Sequence, residues 1–108
     1  NTSVPEEVLE LDNLRTLEIM YNHLASLPED IGIKLNRLKN LDVSHNKLTR
    51  LPASLSKLVE LRQLDLSCNK LPHIPEEILQ LPFLKFLSFG YNKLTNEEKK
   101  TLKKRFKD

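Results

Sequence analysis

Leucines and isoleucines recur along this chain at spacings that repeat almost without change. The arrangement L-x-x-L-x-[LIVF]-x-x-N-x-L occurs four times, beginning at Leu14, Leu38, Leu61 and Leu84, so the copies are 24, 23 and 23 residues apart. Self-similarity at such a period is the signature of a solenoid, in which each coil packs on its neighbours. The sequence therefore predicts a stack of coils that offers a broad surface and no enclosed catalytic cleft.

Each copy contains a short alternation of leucine with polar residues, as in Leu38 to Val43. A period of two predicts a strand with its leucines on one face. Stacked coils bring these strands side by side in parallel, about 4.8 Å apart. We therefore expect the leucines to point inward and the intervening residues to lie on the open face of a parallel sheet.

A second constant block, an aliphatic residue followed by proline, lies between the copies. Its prolines are Pro5, Pro28, Pro52 and Pro75. Proline fixes φ and lacks an N–H donor, so it does not fit a central strand. The block therefore predicts the return path of each coil, as a 3₁₀ turn or an extended segment.

An asparagine follows each predicted strand at the same position. An amide side chain offers two donors and an acceptor, so it can satisfy turn backbone in its own coil and in the adjacent one. We expect these residues to form a structural ladder of Asn22, Asn46, Asn69 and Asn92.

The C-terminal end of the stack predicts a cap. After the last copy, Thr95 and Glu98 have the spacing of a capping box, and Leu102 and Phe106 share one helical face. We expect residues 96–108 to form an amphipathic helix that covers the last coil.

The remaining residues, 1–95, are predicted to form the repeats, with a partial repeat at 4–13 before the four full ones. No comparable cap is visible at the N-terminus, so we expect Val4, Val8 and Leu11 to lie on an open end. The first full repeat has one extra residue, and Gly32 and Ile33 are expected to form a small bulge on its convex side.

These motifs resemble those of leucine-rich-repeat proteins over residues 4 to about 95. The Leu-Pro-x-x-Ile-x-x-Leu block at 23-residue spacing is similar to the intracellular Ras-associated group of these repeats. The resemblance implies an α/β fold, a right-handed solenoid with a short parallel sheet on its concave face and 3₁₀ or extended segments on its convex face, closed by a C-terminal helix. It also implies protein recognition on the concave face, without catalysis or a cofactor.

Composition narrows the class of protein only slightly. The formal net charge is +2, and only residues 97–108 are basic, at +3, whereas the rest of the chain carries −1. Cys68 is the single cysteine, so no internal disulfide can form, and we expect a reducing compartment such as the cytoplasm. No apolar run approaches the length of a membrane span.

The variable strand positions are the predicted recognition surface. Stacking places these positions in columns. One column is acidic at Glu18, Asp42 and Asp65 and ends at Ser88, and another runs from Tyr21 through His45 and Cys68 to Tyr91. Large exposed residues such as Met20 and Phe86 are typical interface anchors, although scattered exposed aromatics are also ordinary. The candidate partner-binding residues are Glu18, Met20, Tyr21, Asp42, Ser44, His45, Asp65, Ser67, Cys68, Phe86, Ser88 and Tyr91.

Three kinds of chemistry are disfavoured. His45 and Cys68 fall on adjacent strands, but an open face with no oxyanion site does not favour nucleophilic catalysis. His23 and His73 lie in turns and do not converge on a metal site. Basic columns flank the strands on both edges, Arg15, Lys39, Arg62 and Lys85 on one and His23, Lys47, Lys70 and Lys93 on the other. They enclose an acidic centre that would repel phosphates, so nucleic acid is not the expected partner.

The sequence therefore favours an intracellular module that binds a partner protein, with small GTPases and other signalling proteins as candidates. A basic patch on the partner would meet Glu18, Asp42 and Asp65. The alternatives are a regulatory or targeting repeat region of a larger enzyme (a cyclase, phosphatase, kinase or ubiquitin ligase) and a purely structural spacer. Self-association through the open N-terminal edge is a further expectation.

Overall fold

The computed structural model describes residues 3–107. Its sheet has four parallel strands in chain order, β1 (Thr16–Glu18), β2 (Asn40–Asp42), β3 (Gln63–Asp65) and β4 (Phe86–Ser88). The register places the middle leucines of the strands in one line, which consists of Leu17, Leu41, Leu64 and Leu87. A nearly constant repeat length explains this register, because each coil returns the chain one strand spacing further along the stack.

The return path of every coil contains one turn of helix. Two of these turns are 3₁₀ helices, Glu6–Glu10 and Ala53–Lys57, and two are α-helical, α1 (Ile31–Lys34) and α2 (Glu76–Leu79). Each begins after the proline of the second block, whose carbonyl accepts the N–H of the residue three positions later. The predicted return path is confirmed, although half of the turns are α-helical where 3₁₀ or extended geometry was expected.

Leucines from the strand side and the return side meet in one core. Leu41, Leu55 and Leu64 are among many aliphatic side chains with almost no exposure. The core is continuous through all coils, so each coil contributes only a layer of it. No helix among residues 3–107 is long and apolar enough to cross a bilayer.

The extra residue of the first full repeat lies in α1 and does not form a loop bulge. Gly32 is buried, and its N–H donates to Ser54 Oγ at 2.9 Å, whereas Ile33 is exposed. A Cβ on Gly32 would lie 1.7 Å from the backbone oxygen of Ser54. Glycine is therefore required here, because the return segments of two neighbouring coils approach closely.

The C-terminal helix α3 (Asn96–Arg105) covers the last coil. Thr95 Oγ1 accepts the N–H of Glu98 at 3.1 Å, as the capping box predicts. The Glu98 carboxylate accepts the N–H of Ile74 at 3.1 Å and so ties α3 to the preceding coil. Leu102 is buried and Phe106 is half-buried against the core, as expected of a cap. The helix ends at Arg105 and Phe106 is extended, so the predicted helix over residues 96–108 is too long.

The N-terminal end is partly covered. Val4 and Leu9 are buried and Val8 is half-buried, so the expectation of a fully open end is wrong for Val4. The first 3₁₀ helix places these side chains on the core, whereas Leu11 remains exposed. Leu17 is only half-buried, although its equivalents in the next strands are buried, because no further coil packs on β1 in the described chain.

Candidate protein-recognition surface

The outward side chains of the four strands form two columns that line a shallow depression of about 160 Å³. The strand register places Glu18, Asp42 and Asp65 next to one another, with Ser88 at the end of the same column. We call Glu18, Asp42 and Asp65 the acidic column. The second column is neutral and consists of Thr16, Asn40, Gln63 and Phe86.

Each of the two aspartates of the acidic column uses one carboxylate oxygen to accept hydrogen bonds within its own coil. Asp42 Oδ1 accepts the N–H of Ser44 at 2.9 Å, and Asp65 Oδ1 accepts the N–H of Ser67 at 3.0 Å and its hydroxyl at 2.7 Å. These bonds hold the chain where it leaves the strand. Within residues 3–107, the second oxygen of each aspartate and the whole carboxylate of Glu18 have no hydrogen-bond partner. These oxygens are available to a basic group.

Positions beyond the strand differ in exposure. Ser44 is only 4% exposed, so its prediction as a contact residue is wrong. Strand β2 ends at Asp42, so Ser44 lies beyond the strand whose alternation predicted an outward side chain. Met20 and Ser67 are half-buried and can present only part of their side chains.

The column of Tyr21, His45, Cys68 and Tyr91 has a shared backbone conformation, with φ between 56° and 62°. Residues other than glycine adopt this left-handed region at a cost of about 1 kcal/mol or more. The Tyr21 and His45 rings stack with centroids 4.2 Å apart, and Tyr91 is 86% exposed. The positive φ was not predicted. The one feature of the sequence that indicates it is that each of these residues directly precedes a ladder asparagine.

The asparagine ladder is structural in three of its four members. The Oδ1 atoms of Asn46, Asn69 and Asn92 accept backbone N–H groups of the preceding coil, and their Nδ2 groups donate to carbonyls in both coils. Asn22 makes one such bond, from Nδ2 to the carbonyl of Met20. The ladder therefore connects consecutive coils, and Asn22 lies at its open end.

The His45 ring lies against Tyr21, and no hydrogen bond joins it to Cys68 in the described chain. Between Ser3 and Lys107, no three His, Cys, Asp or Glu side chains are grouped so that they could bind a metal ion.

Two features of the surface were not selected from the sequence. Thr16, Asn40 and Gln63 line the depression beside the acidic column, and Phe83 is exposed at the edge where each coil enters the sheet. The first three occupy variable strand positions, which is a usable signal. Phe83 follows Pro82 outside the strand, and no periodicity distinguishes it.

Comparison with known proteins agrees with this architecture. The family model described as leucine rich repeat matches residues 12–71. Among solved structures, a leucine-rich-repeat protein of Leptospira interrogans is similar, with a TM-score of 0.85 and 36% identity over 95% of this chain. The chain spans 26% of the length of that protein. No curated protein matches the sequence.

Proposed function

Because this chain belongs to the leucine-rich-repeat family, we propose that it is a protein-interaction module that binds a partner protein through the open face of its sheet. Leucine-rich repeats generally mediate protein–protein interaction, and the fold here presents a continuous surface of variable side chains. The observation that carries the proposal is the depression over the strands, which is lined by the acidic column and by neutral polar groups.

Electrostatics favour a basic patch on the partner. The three carboxylates lie on adjacent strands, so neighbouring members are separated by roughly 5 Å at the backbone. Like charges at this spacing repel one another, and a Lys or Arg side chain placed between them relieves the repulsion. Such complementarity contributes to partner choice and to the association rate more than to affinity.

Aromatic side chains at the ends of the surface favour a protein over a small molecule. Tyr21 lies over the first coil, and Phe86 and Tyr91 lie over the last, all exposed. Exposed aromatics supply much of the energy at protein interfaces, where they are enriched as anchors. A partner that reaches both ends covers all four strands.

The test is affinity capture from an extract of the source cells, using a variant that removes charge without removing the structural acceptors. Glu18→Gln, Asp42→Asn and Asp65→Asn keep an oxygen at every position, so the bonds to Ser44 and Ser67 remain possible. The matched control changes the exposed carboxylates Glu7, Glu10 and Glu77, outside the sheet, to glutamine and shifts the net charge equally.

We expect partner proteins to bind the wild type and the control equally. The amount of partner recovered with the acidic-column variant should be roughly tenfold lower at low salt. Equal binding of all three proteins would refute the role of the open face. Equal loss from both variants would show that only overall charge matters.

The finer identity of the module is also a proposal. The Leu-Pro blocks support membership of the Ras-associated intracellular group and a small GTPase or another signalling protein as partner. The free thiol of Cys68 supports a reducing compartment such as the cytoplasm. Binding of a panel of purified GTPases, in each nucleotide state, tests the partner class directly.

The open end of the sheet supports self-association as a second property. The strand β1 has a partner on one side only within the described residues, and Asn22 there has unused hydrogen-bonding capacity. Molar mass measured by light scattering over a range of concentrations tests this, and a constant monomer mass would refute it.

A role as the regulatory region of a larger enzyme is the alternative for the whole protein. The observation in its favour is that this chain spans only 26% of the similar Leptospira protein, so a leucine-rich-repeat segment of this size occurs within a longer chain. Sequencing the full transcript decides the question, since a catalytic domain fused to the repeats would support it.

A further inference from the structure

Five basic residues form a continuous row along the edge where each coil enters the sheet. Lys39 N–H donates to the Arg15 carbonyl at 2.7 Å, Arg62 to Lys39 at 2.8 Å, Lys85 to Arg62 at 3.0 Å and Lys107 to Lys85 at 3.0 Å. The last bond arises because the chain returns to the sheet after α3, beside Phe86. We call these five residues the cationic ladder.

No carboxylate of the described chain forms a salt bridge with a residue of the cationic ladder. The two salt bridges found between residues 3 and 107 are Arg50–Glu29 and Arg105–Glu76, and neither involves a ladder residue. Four members are exposed and Lys39 is half-buried. Successive strands are about 4.8 Å apart, so the five backbone positions span roughly 19 Å. A row of unpaired cations at this spacing attracts an extended anionic partner.

A depression of about 250 Å³ opens beside two ladder residues. Arg62, Pro82, Phe83, Leu84 and Lys85 line it, and Phe83 is 58% exposed. The depression therefore combines an apolar floor with two cations. A ligand that fits it carries an apolar side chain next to an anionic group.

Position along the strand separates the ladder from the acidic column. In the first three coils the ladder residue is three positions before the acidic one, so the neutral column lies between rows of opposite charge. A nucleic acid lying along the ladder is a continuous polyanion, and the parallel acidic column repels its phosphates. A protein segment can place acidic groups on the ladder without contacting the acidic column.

We propose that the cationic ladder and the Phe83 depression bind an acidic segment of a partner protein, with one apolar side chain of that segment seated in the depression. This site lies beyond the strand-face function proposed above. It uses different residues and requires the opposite charge on the partner, so either site can fail without the other.

The test uses a short fluorescein-labelled peptide of alternating glutamate and serine with one central leucine, titrated by anisotropy. Arg62→Glu with Lys85→Glu is expected to weaken binding by roughly tenfold, because two attractive contacts become repulsive. The control is Lys34→Glu with Lys57→Glu, two exposed lysines of the return segments with the same change of net charge. The control is expected to change affinity by less than about twofold.

The apolar part of the site has its own variant and probe. Phe83→Ser should weaken the leucine peptide by roughly fivefold and leave a peptide with serine in place of leucine unchanged. Absence of peptide binding to the wild type overturns the proposal. So does equal weakening by the control variant, which would indicate diffuse charge, or tighter binding of an oligothymidylate than of the peptide, which would indicate a nucleic-acid site.

Discussion

Replacement of the ladder asparagines tests how the coils are held together. Asn46 is only 7% exposed, and its Oδ1 accepts the N–H groups of Asn22 and Leu24, each at 3.0 Å. Its Nδ2 carries two hydrogens and donates to the carbonyls of Ile19 at 2.8 Å, Val43 at 3.0 Å and Ser44 at 3.1 Å. Asn46→Ala removes all of these bonds and leaves buried backbone groups without partners. Asn22→Ala is the matched control, because it removes one bond at the open end of the same ladder.

The expected magnitudes follow from the number of bonds. A hydrogen bond contributes a net of about 1 kcal/mol, and more where its loss leaves a buried group unsatisfied. Four N–H groups are satisfied through Asn46, two that donate to Oδ1 and two on Nδ2. Asn46→Ala is therefore expected to lower the free energy of unfolding by about 4 kcal/mol, against about 1 kcal/mol for Asn22→Ala. The larger value is a substantial part of the roughly 5–15 kcal/mol that stabilises a domain.

Urea denaturation followed by far-ultraviolet circular dichroism measures both values. With a slope of about 2 kcal/mol per molar urea, the midpoint of Asn46→Ala should fall by roughly 2 M and that of Asn22→Ala by about 0.5 M. Equal midpoints for the two variants would refute the inference that the amide at position 46 connects two coils.

Three further variants test local features. Gly32→Ala should lower the free energy of unfolding by about 1–3 kcal/mol, since its methyl group meets the Ser54 backbone, and an unchanged melting temperature would contradict this. Glu98→Ala should release the Ile74 N–H and raise the hydrogen-exchange rate of that amide, whereas unchanged protection would show that α3 is held without the carboxylate. Tyr91→Gly should stabilise the fold by about 0.5–1 kcal/mol, because glycine adopts φ of 56° without strain, and thermal unfolding that shows a loss of stability would argue against strain there.

The repeat pattern was sufficient to predict the sheet. The spacing of Leu14, Leu38, Leu61 and Leu84 predicts strands in equivalent places, and the structure pairs those strands in parallel and in register. The prolines predicted the return path, because a residue without an N–H cannot complete the hydrogen bonds of a central strand. In a solenoid a repeated local pattern also predicts contacts between coils, because equivalent positions of neighbouring coils lie side by side.

Features that occur once were not predictable in this way. The bond from Ile74 to Glu98 and the return of Lys107 to the sheet depend on where α3 places the end of the chain. The close approach of Gly32 to Ser54 depends on the shape of two unequal return segments. Periodicity carries no information about such contacts.

The candidate site was predicted in outline and corrected in detail. The three residues of the acidic column, Glu18, Asp42 and Asp65, lie side by side as expected, because they follow the strand register. Ser44 occupies an equally variable position, yet it is buried. The strand ends at Asp42, so the alternation that predicts an outward side chain no longer applies at Ser44.

Hydroxyl-radical footprinting of the chain, alone and bound to the partner recovered by affinity capture, tests the central claim most directly. Tyr21, Phe86 and Tyr91 report on the open face, and the exposed Ile33 reports on the return side. We predict that the partner protects the three aromatic residues from oxidation and leaves Ile33 unchanged. Protection of Ile33 with unchanged oxidation of the aromatic residues would contradict recognition through the sheet.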